Sequence, residues 1–268
     1  MTSWTQVRRS LEIRGGSASA VFPEAWAQGR ASFGGLIVAL ALDVMRSLVE
    51  EKDRRLRSLL TQFAGPVAPG AARIAAQLVR SGRAATHLRA SIEQEGQVAA
   101  SVLASFVADR SSAIVMPGAP PPPIPPIEAL PDVRYVPGVT PAFTQHFEYR
   151  WAFGDPPYSG SQRAELGGLV RFREAGVSSD EGSLLALVDA WPPPVIPRLK
   201  APAPASSVTW SIEFLEIDPA ESASAWWLYR GETLAALGGQ VSARAWLWSP
   251  SGRLAAVSTQ HAAVFDAR

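Results

Sequence analysis

From Ser206 to Phe265 the sequence leaves little room for anything but strands. The run Ser207 to Ile217 alternates: Val208, Trp210, Ile212 and Phe214 fall on one side, Ser207, Thr209, Ser211 and Glu213 on the other. That period of two marks a half-buried strand. Ala225 to Arg230, Gln240 to Trp248 and Leu254 to Phe265 supply three more, with Ser249-Pro250-Ser251-Gly252 as the hairpin turn between the last two. A helix is predicted from Glu181 to Trp191, just upstream.

The first half follows the same plan. From Leu36 to about Val49 apolar residues recur almost all round, the pattern of a buried helix. Strands are predicted at Arg57 to Ala64, Ala72 to Ser81, Thr86 to Glu93 and Gln97 to Ala108, separated by Gly65-Pro66, Ala68-Pro69-Gly70, Gly82 and Glu95-Gly96. Phe22 to Trp26 reads as an edge segment. Gly34 and Gly35, at the start of the helix, are open to two readings. They permit tight packing against a neighbour, or they bring a substrate oxygen close to N–H groups that lack intrahelical partners.

Between the halves lies Met116-Pro117-Gly118-Ala119-Pro120-Pro121-Pro122-Pro123-Ile124-Pro125-Pro126, which can neither pair within a sheet nor continue a helix. It reads as a polyproline II spacer and divides the chain into residues 1–115, a linker at 116–137 and residues 138–268. Beyond it, Phe143 to Trp151 and Ala164 to Arg173 read as strands that precede the second helix. Helix followed by a four-stranded meander thus occurs twice, an internal duplication.

Composition narrows the function. With 268 residues, 47% of them hydrophobic, the chain can bury a sizeable core. It has no cysteine, so thiolate nucleophiles, thiolate metal sites and disulfides are excluded. Its three histidines, His87, His146 and His261, fall at no ligand spacing, and neither metal nor cofactor is expected. A net charge of +1 gives no electrostatic case for nucleic acid. No signal peptide and no membrane-spanning apolar run is visible, so a soluble, cytoplasmic protein is expected.

A buried helix followed by long strands is best satisfied when the sheet curls around the helix. Here the sequence resembles the TesB-like, type II acyl-CoA thioesterases. Phe33-Gly34-Gly35, Leu59 to Pro66, Pro69-Gly70, Arg80-Ser81-Gly82-Arg83, Leu88-Arg89-Ala90 and Ala104-Ser105-Phe106 carry the likeness in the first half. Ala186-Leu187-Val188-Asp189, Ser207 to Phe214, Trp227-Leu228-Tyr229 and Ser258-Thr259-Gln260 carry it in the second. The resemblance implies an α+β double hotdog fold, an acyl-CoA substrate, a homo-oligomer and hydrolysis by an activated water without an acyl-enzyme. It also implies a catalytic trio at Asp189, Ser207 and Gln260. Thr209 is an alternate hydroxyl, because simple alternation puts it on the face of Ser207.

The trio suits thioester chemistry, which needs a proton acceptor, an attacking water and donors for the developing oxyanion. At a helix C-terminus the macrodipole is expected to raise the pKa of Asp189. Each residue also has a plainer reading: a solvated carboxylate before Trp191-Pro192-Pro193-Pro194, an outward strand serine, a glutamine bonded to a neighbouring strand. Arg80, Arg83, Arg89, Arg171 and Arg173 are candidates for CoA phosphates or simply solvated, and the tryptophans of the second half are core or acyl-channel lining. Two rival functions remain open, a non-catalytic acyl-CoA-binding protein and a hotdog hydratase or dehydratase.

Overall fold

In the computed structural model, which describes residues 2–266, the two apolar helices lie side by side and antiparallel at the centre of the molecule. We label them α2 (Gly34–Arg46) and α3 (Glu181–Asp189), after a short N-terminal helix, α1 (Trp4–Arg9). Every residue from Gly35 to Leu42 is buried, as the all-round apolar pattern of α2 requires. Asp180 caps α3 by accepting a hydrogen bond from the Ser183 N–H. The helix stops at Asp189, two residues short of expectation, because the prolines from Pro192 onward disfavour helical backbone ahead of them.

The register of the helices is set at both ends. At one, a Cβ on Gly35 would come within 2.9 Å of Ala186 Cα, so the missing side chain is what lets the backbones approach. At the other, Arg46 pairs with Glu181 at 2.7 Å, and Arg8 of α1 bonds both Asp43 and Asp180. Sequence reasoning missed α1, yet its signature is present: Ser3 and Gln6 form a reciprocal capping box.

A continuous antiparallel sheet wraps this pair. Its N-terminal strands are β1 (Glu12–Arg14), β2 (Ser17–Phe22), β5 (Arg54–Phe63), β6 (Gly70–Ser81), β7 (Ala85–Gln94) and β8 (Gln97–Ala108). Two-residue strands β3 (Ala27–Gln28) and β4 (Ala31–Ser32) form a separate ribbon leading into α2. The C-terminal strands are β9 (Asp132–Val133), β10 (Phe147–Phe153), β11 (Glu165–Phe172), β12 (Ala205–Phe214), β13 (Trp227–Leu237), β14 (Gln240–Trp248) and β15 (Leu254–Val264). Their order, β1-β2-β6-β7-β8-β5-β12-β15-β14-β13-β11-β10-β9, reads as one half followed by its mirror. The halves meet where β5 pairs with β12. Each half is a hotdog, a helix wrapped by a curved sheet, and the fold is the α+β double hotdog.

Three differences from expectation have local causes. Phe22 ends β2, and Glu24–Trp26 is a 3-10 turn, because Pro23 cannot donate to the ladder. Strand β13 runs on to Leu237, past Gly231, and turns at Gly238-Gly239, both with positive φ as a tight hairpin demands. Asp132–Val133, within the stretch read as linker, adds β9 to the edge of β10. The proline-rich stretch before it crosses the sheet surface, where Ala119 O accepts from Trp248 Nε1 at 2.8 Å and Ile124 packs near Leu228 and Leu254. Among the described residues no helix is long and apolar enough to cross a membrane.

Gly35→Ala tests the helix contact. The added carbon meets Ala186 Cα and the Phe33 ring below normal contact distance, and overpacking of this kind costs about 1–3 kcal/mol. A lower denaturant midpoint with unchanged slope is the expected result.

Candidate active site

The end of α3 meets the beginning of α2, and there Asp189 turns its carboxylate into the junction. Oδ2 accepts a hydrogen bond from the Gly35 N–H at 2.7 Å. Gly34 makes room for it, since a Cβ at that position would lie 2.7 Å from the same oxygen. Tight packing is therefore what the Gly-Gly pair provides, and the Gly35 N–H is engaged by Asp189. The surface-carboxylate reading of Asp189 is excluded by this placement.

No arginine or lysine bonds Asp189 among the described residues. Burial disfavours its charge and pushes its pKa up to about 7, while the Gly35 N–H pulls in the opposite direction. The direction is the one expected from the sequence, but the leading cause is desolvation rather than the macrodipole. The positive end of α2, in fact, works against the rise.

Beside the carboxylate lies a cavity of ≈ 20 Å³, lined by Asp189, Trp191, Trp210, Tyr229, Ser258 and Gln260 among others. That volume holds about one water molecule. Gln260 projects from β15 and donates through Nε2 to Ser207 Oγ at 2.8 Å. With the amide so oriented, Gln260 Oε1 and its second N–H remain for a molecule in the cavity. Trp210 and Ser258 complete the strand wall through a 2.7 Å Nε1–Oγ hydrogen bond.

Ser207 reaches Gln260 through an irregularity that alternation alone conceals. Ser207 pairs with Ala262 and Thr209 with His261, leaving Val208 as the extra residue of a β-bulge. The bulge moves Ser207 onto the face of Trp210 and Gln260 and leaves Thr209 on the opposite one. The expectation that Ser207 and Thr209 share a face is thus corrected: the bulge puts them on opposite faces.

The other candidates are engaged elsewhere. Arg171 and Arg173 pair with Glu148, and Arg89 bonds Gln77. His87 bonds Ser105 and His261 bonds Gln240 on exposed strand positions. His146 stacks on Trp26, and burial pushes its pKa down to about 4. Sequence reasoning did not single out Tyr229 as a cavity residue, although it follows the inward-facing Trp227 at strand spacing.

The sequence patterns of the acyl-CoA thioesterase N-terminal and C-terminal domains match residues 22–107 and 118–264. This chain belongs to the acyl-CoA thioesterase family. Among solved structures, a conserved protein of unknown function with hot dog fold from Alicyclobacillus acidocaldarius superposes with a TM-score of 0.86 at 24% identity, covering 100% of both chains. The tesB protein of Mycobacterium avium subspecies paratuberculosis gives 0.78 at 17%, over 96% of each chain. The acyl-CoA thioesterase II TesB2 of Mycobacterium marinum gives 0.76 at 16%, over 98% of each. These likenesses establish the shared fold of a TesB-like thioesterase. No curated protein sequence matches the chain.

In this family member the part-buried Asp189 carboxyl links stability to pH. The folded state holds the Asp189 proton up to about pH 7, whereas the unfolded chain releases it near the ordinary aspartate value of about 3.9. Stability contributed by the protonated group is therefore lost as pH rises through that window. Asp189→Asn, which keeps an acceptor for Gly35 and carries no charge, should gain up to about 4 kcal/mol on wild type between pH 4 and pH 8. Paired denaturation curves across that range measure it, and a difference independent of pH contradicts the assignment.

Proposed function

We propose that this protein is an acyl-CoA thioesterase that hydrolyses acyl-CoA to the free acid and CoA with a water activated by Asp189. The observation that carries the reading is a carboxyl with its pKa near 7, facing a one-water cavity whose polar lining includes Gln260 held by Ser207. A base poised near neutrality accepts a proton efficiently while a large share of it is still ionised at neutral pH.

In the reaction, Asp189 takes one proton from water as the water oxygen bonds to the thioester carbon. Gln260 Oε1 accepts the second hydrogen and fixes the attacking lone pair. The carbonyl π-electrons move to oxygen, then return as the C–S bond breaks. The proton on Asp189 goes to the departing thiolate, giving CoA and restoring the carboxylate. The role of Ser207 is to hold the Gln260 amide. A role for Gly34 and Gly35 in substrate binding rests on the Gly34 N–H, which a helix start leaves without an intrahelical acceptor.

The hydratase reading wants an imidazole in the pocket, and no histidine lines this cavity among the described residues. An acyl-CoA-binding protein without turnover would have no need of a carboxyl held at neutral pKa. Self-association and a cytoplasmic location belong to the same proposal. Leu60 and Leu103 stand exposed as a cross-strand pair on the outer face of the N-terminal sheet, an apolar surface that a second copy would cover.

Thiol release from a panel of short, medium, long and aromatic acyl-CoAs is the direct test, and no release from any of them overturns the proposal. With an active substrate in hand, kcat/KM should rise about tenfold per pH unit below about pH 7 and level off above it. Asp189→Asn should lower kcat by roughly two to four orders of magnitude. Ser207→Ala should cost roughly tenfold, while Thr209→Val, on the other face, leaves turnover unchanged.

A further inference from the structure

Tyr229 lies on the wall of the same cavity and has no part in the steps above. It is 5% exposed, and its hydroxyl makes no hydrogen bond among the described residues. The oxygen itself is not sealed off, so a molecule in the cavity can be its hydrogen-bond partner. The hydroxyl of nearby Tyr149, by contrast, donates to Ala190 O at 3.1 Å.

The Tyr229 ring is fixed. It stacks on Trp191 with ring centres 5.5 Å apart and planes within 5°, and Trp191 in turn meets Tyr149 edge to face at 5.4 Å. Space is left beside the hydroxyl. Gly231, two residues along β13, would place a Cβ 2.7 Å from the Tyr229 oxygen and 3.0 Å from Pro194. Any other residue at 231 would fill the space into which the phenol opens.

An attacking water needs acceptors for its hydrogens, which Asp189 and Gln260 Oε1 offer. Of the donors on the wall besides the second Gln260 N–H, Arg244 is paired with Glu232 and Trp191 Nε1 is shut off from solvent. The carbonyl oxygen needs a donor. We propose that Tyr229 donates its phenolic hydrogen bond to the thioester carbonyl oxygen and stabilises the charge that develops there as water adds. This assignment rests on the hydrolytic reading of the cavity. Burial and the neighbouring Asp189 carboxylate both raise the phenol pKa well beyond its ordinary value, so the donor stays protonated wherever Asp189 is ionised.

The test separates the donor from the hydrolysis. CoA thioethers bearing 2-oxopropyl, 2-oxohexyl or 2-oxododecyl chains place a carbonyl near the thioester position and cannot be hydrolysed there. Their carbonyl-free propyl, hexyl and dodecyl counterparts serve as references. By calorimetry, wild type should bind at least one ketone about tenfold or more tightly than its reference, as expected of a hydrogen bond made in a dry site. Tyr229→Phe should erase that preference and bind the reference unchanged. The variant removes an unpartnered hydroxyl, so its melting temperature should not fall. With an active acyl-CoA, Tyr229→Phe should lower kcat by roughly ten- to a hundredfold and leave KM nearly unchanged. Equal ketone preference in wild type and Tyr229→Phe, or none in wild type, overturns the assignment. A Tyr229-dependent preference without any thiol release would uphold the donor and reject hydrolysis; undiminished turnover in Tyr229→Phe would do the reverse.

Discussion

Everything at the candidate site depends on one hydrogen bond between two helices, from the Gly35 N–H to the Asp189 carboxylate. It exists because two glycines at the start of α2 let α3 approach until its last residue meets the first turn of its neighbour. The bond fixes where the carboxylate sits. The same closeness removes solvent from it and brings its pKa toward neutrality. Geometry and basicity thus share a cause, the absence of two side chains.

Duplication creates two such helix junctions, and the chain treats them differently. Where α2 ends and α3 begins, Arg8 pairs with both Asp43 and Asp180, and Arg46 pairs with Glu181. Packing there is closed with charge pairs, Arg8 standing 3.0 Å from where a Gly182 Cβ would be. At the opposite junction no cation bonds Asp189 among the described residues, and the carboxylate faces a water-sized space. The asymmetry closes one end of the helix pair with charge pairs and leaves a part-buried carboxyl at the other, which fits one candidate site in a chain with two hotdog halves.

Fold was legible because periodicity reports burial directly. The apolar wheel of α2 and the alternation of β12, β14 and β15 follow from which face meets the core, and the order of elements restricts how they can wrap. Less legible were features decided between segments. The bulge at Val208 reverses the facing of Ser207 relative to Thr209 without leaving a glycine or proline as a sign. The run from Leu234 to Leu237 is exposed at the far end of a hairpin, so burial imposes no pattern on it. Asp189 could not be told from a surface carboxylate by its own neighbours in sequence, since its burial comes from α2, about 150 residues away. A closer reading of Ser3-Trp4-Thr5-Gln6 would have found α1, and Tyr229 needed the Gly231 space that only packing reveals.

The central claim is that a carboxyl is held at near-neutral pKa where two helix ends touch. Site-resolved titration of Asp189, by its side-chain carboxyl carbon shift with Asp189→Asn as the assignment control, measures this without any substrate. A midpoint near pH 7 is the result the account requires. A midpoint close to the ordinary aspartate value, about 4, would mean that the carboxylate is solvated, and the base, the cavity and the helix contact would have to be reassigned together.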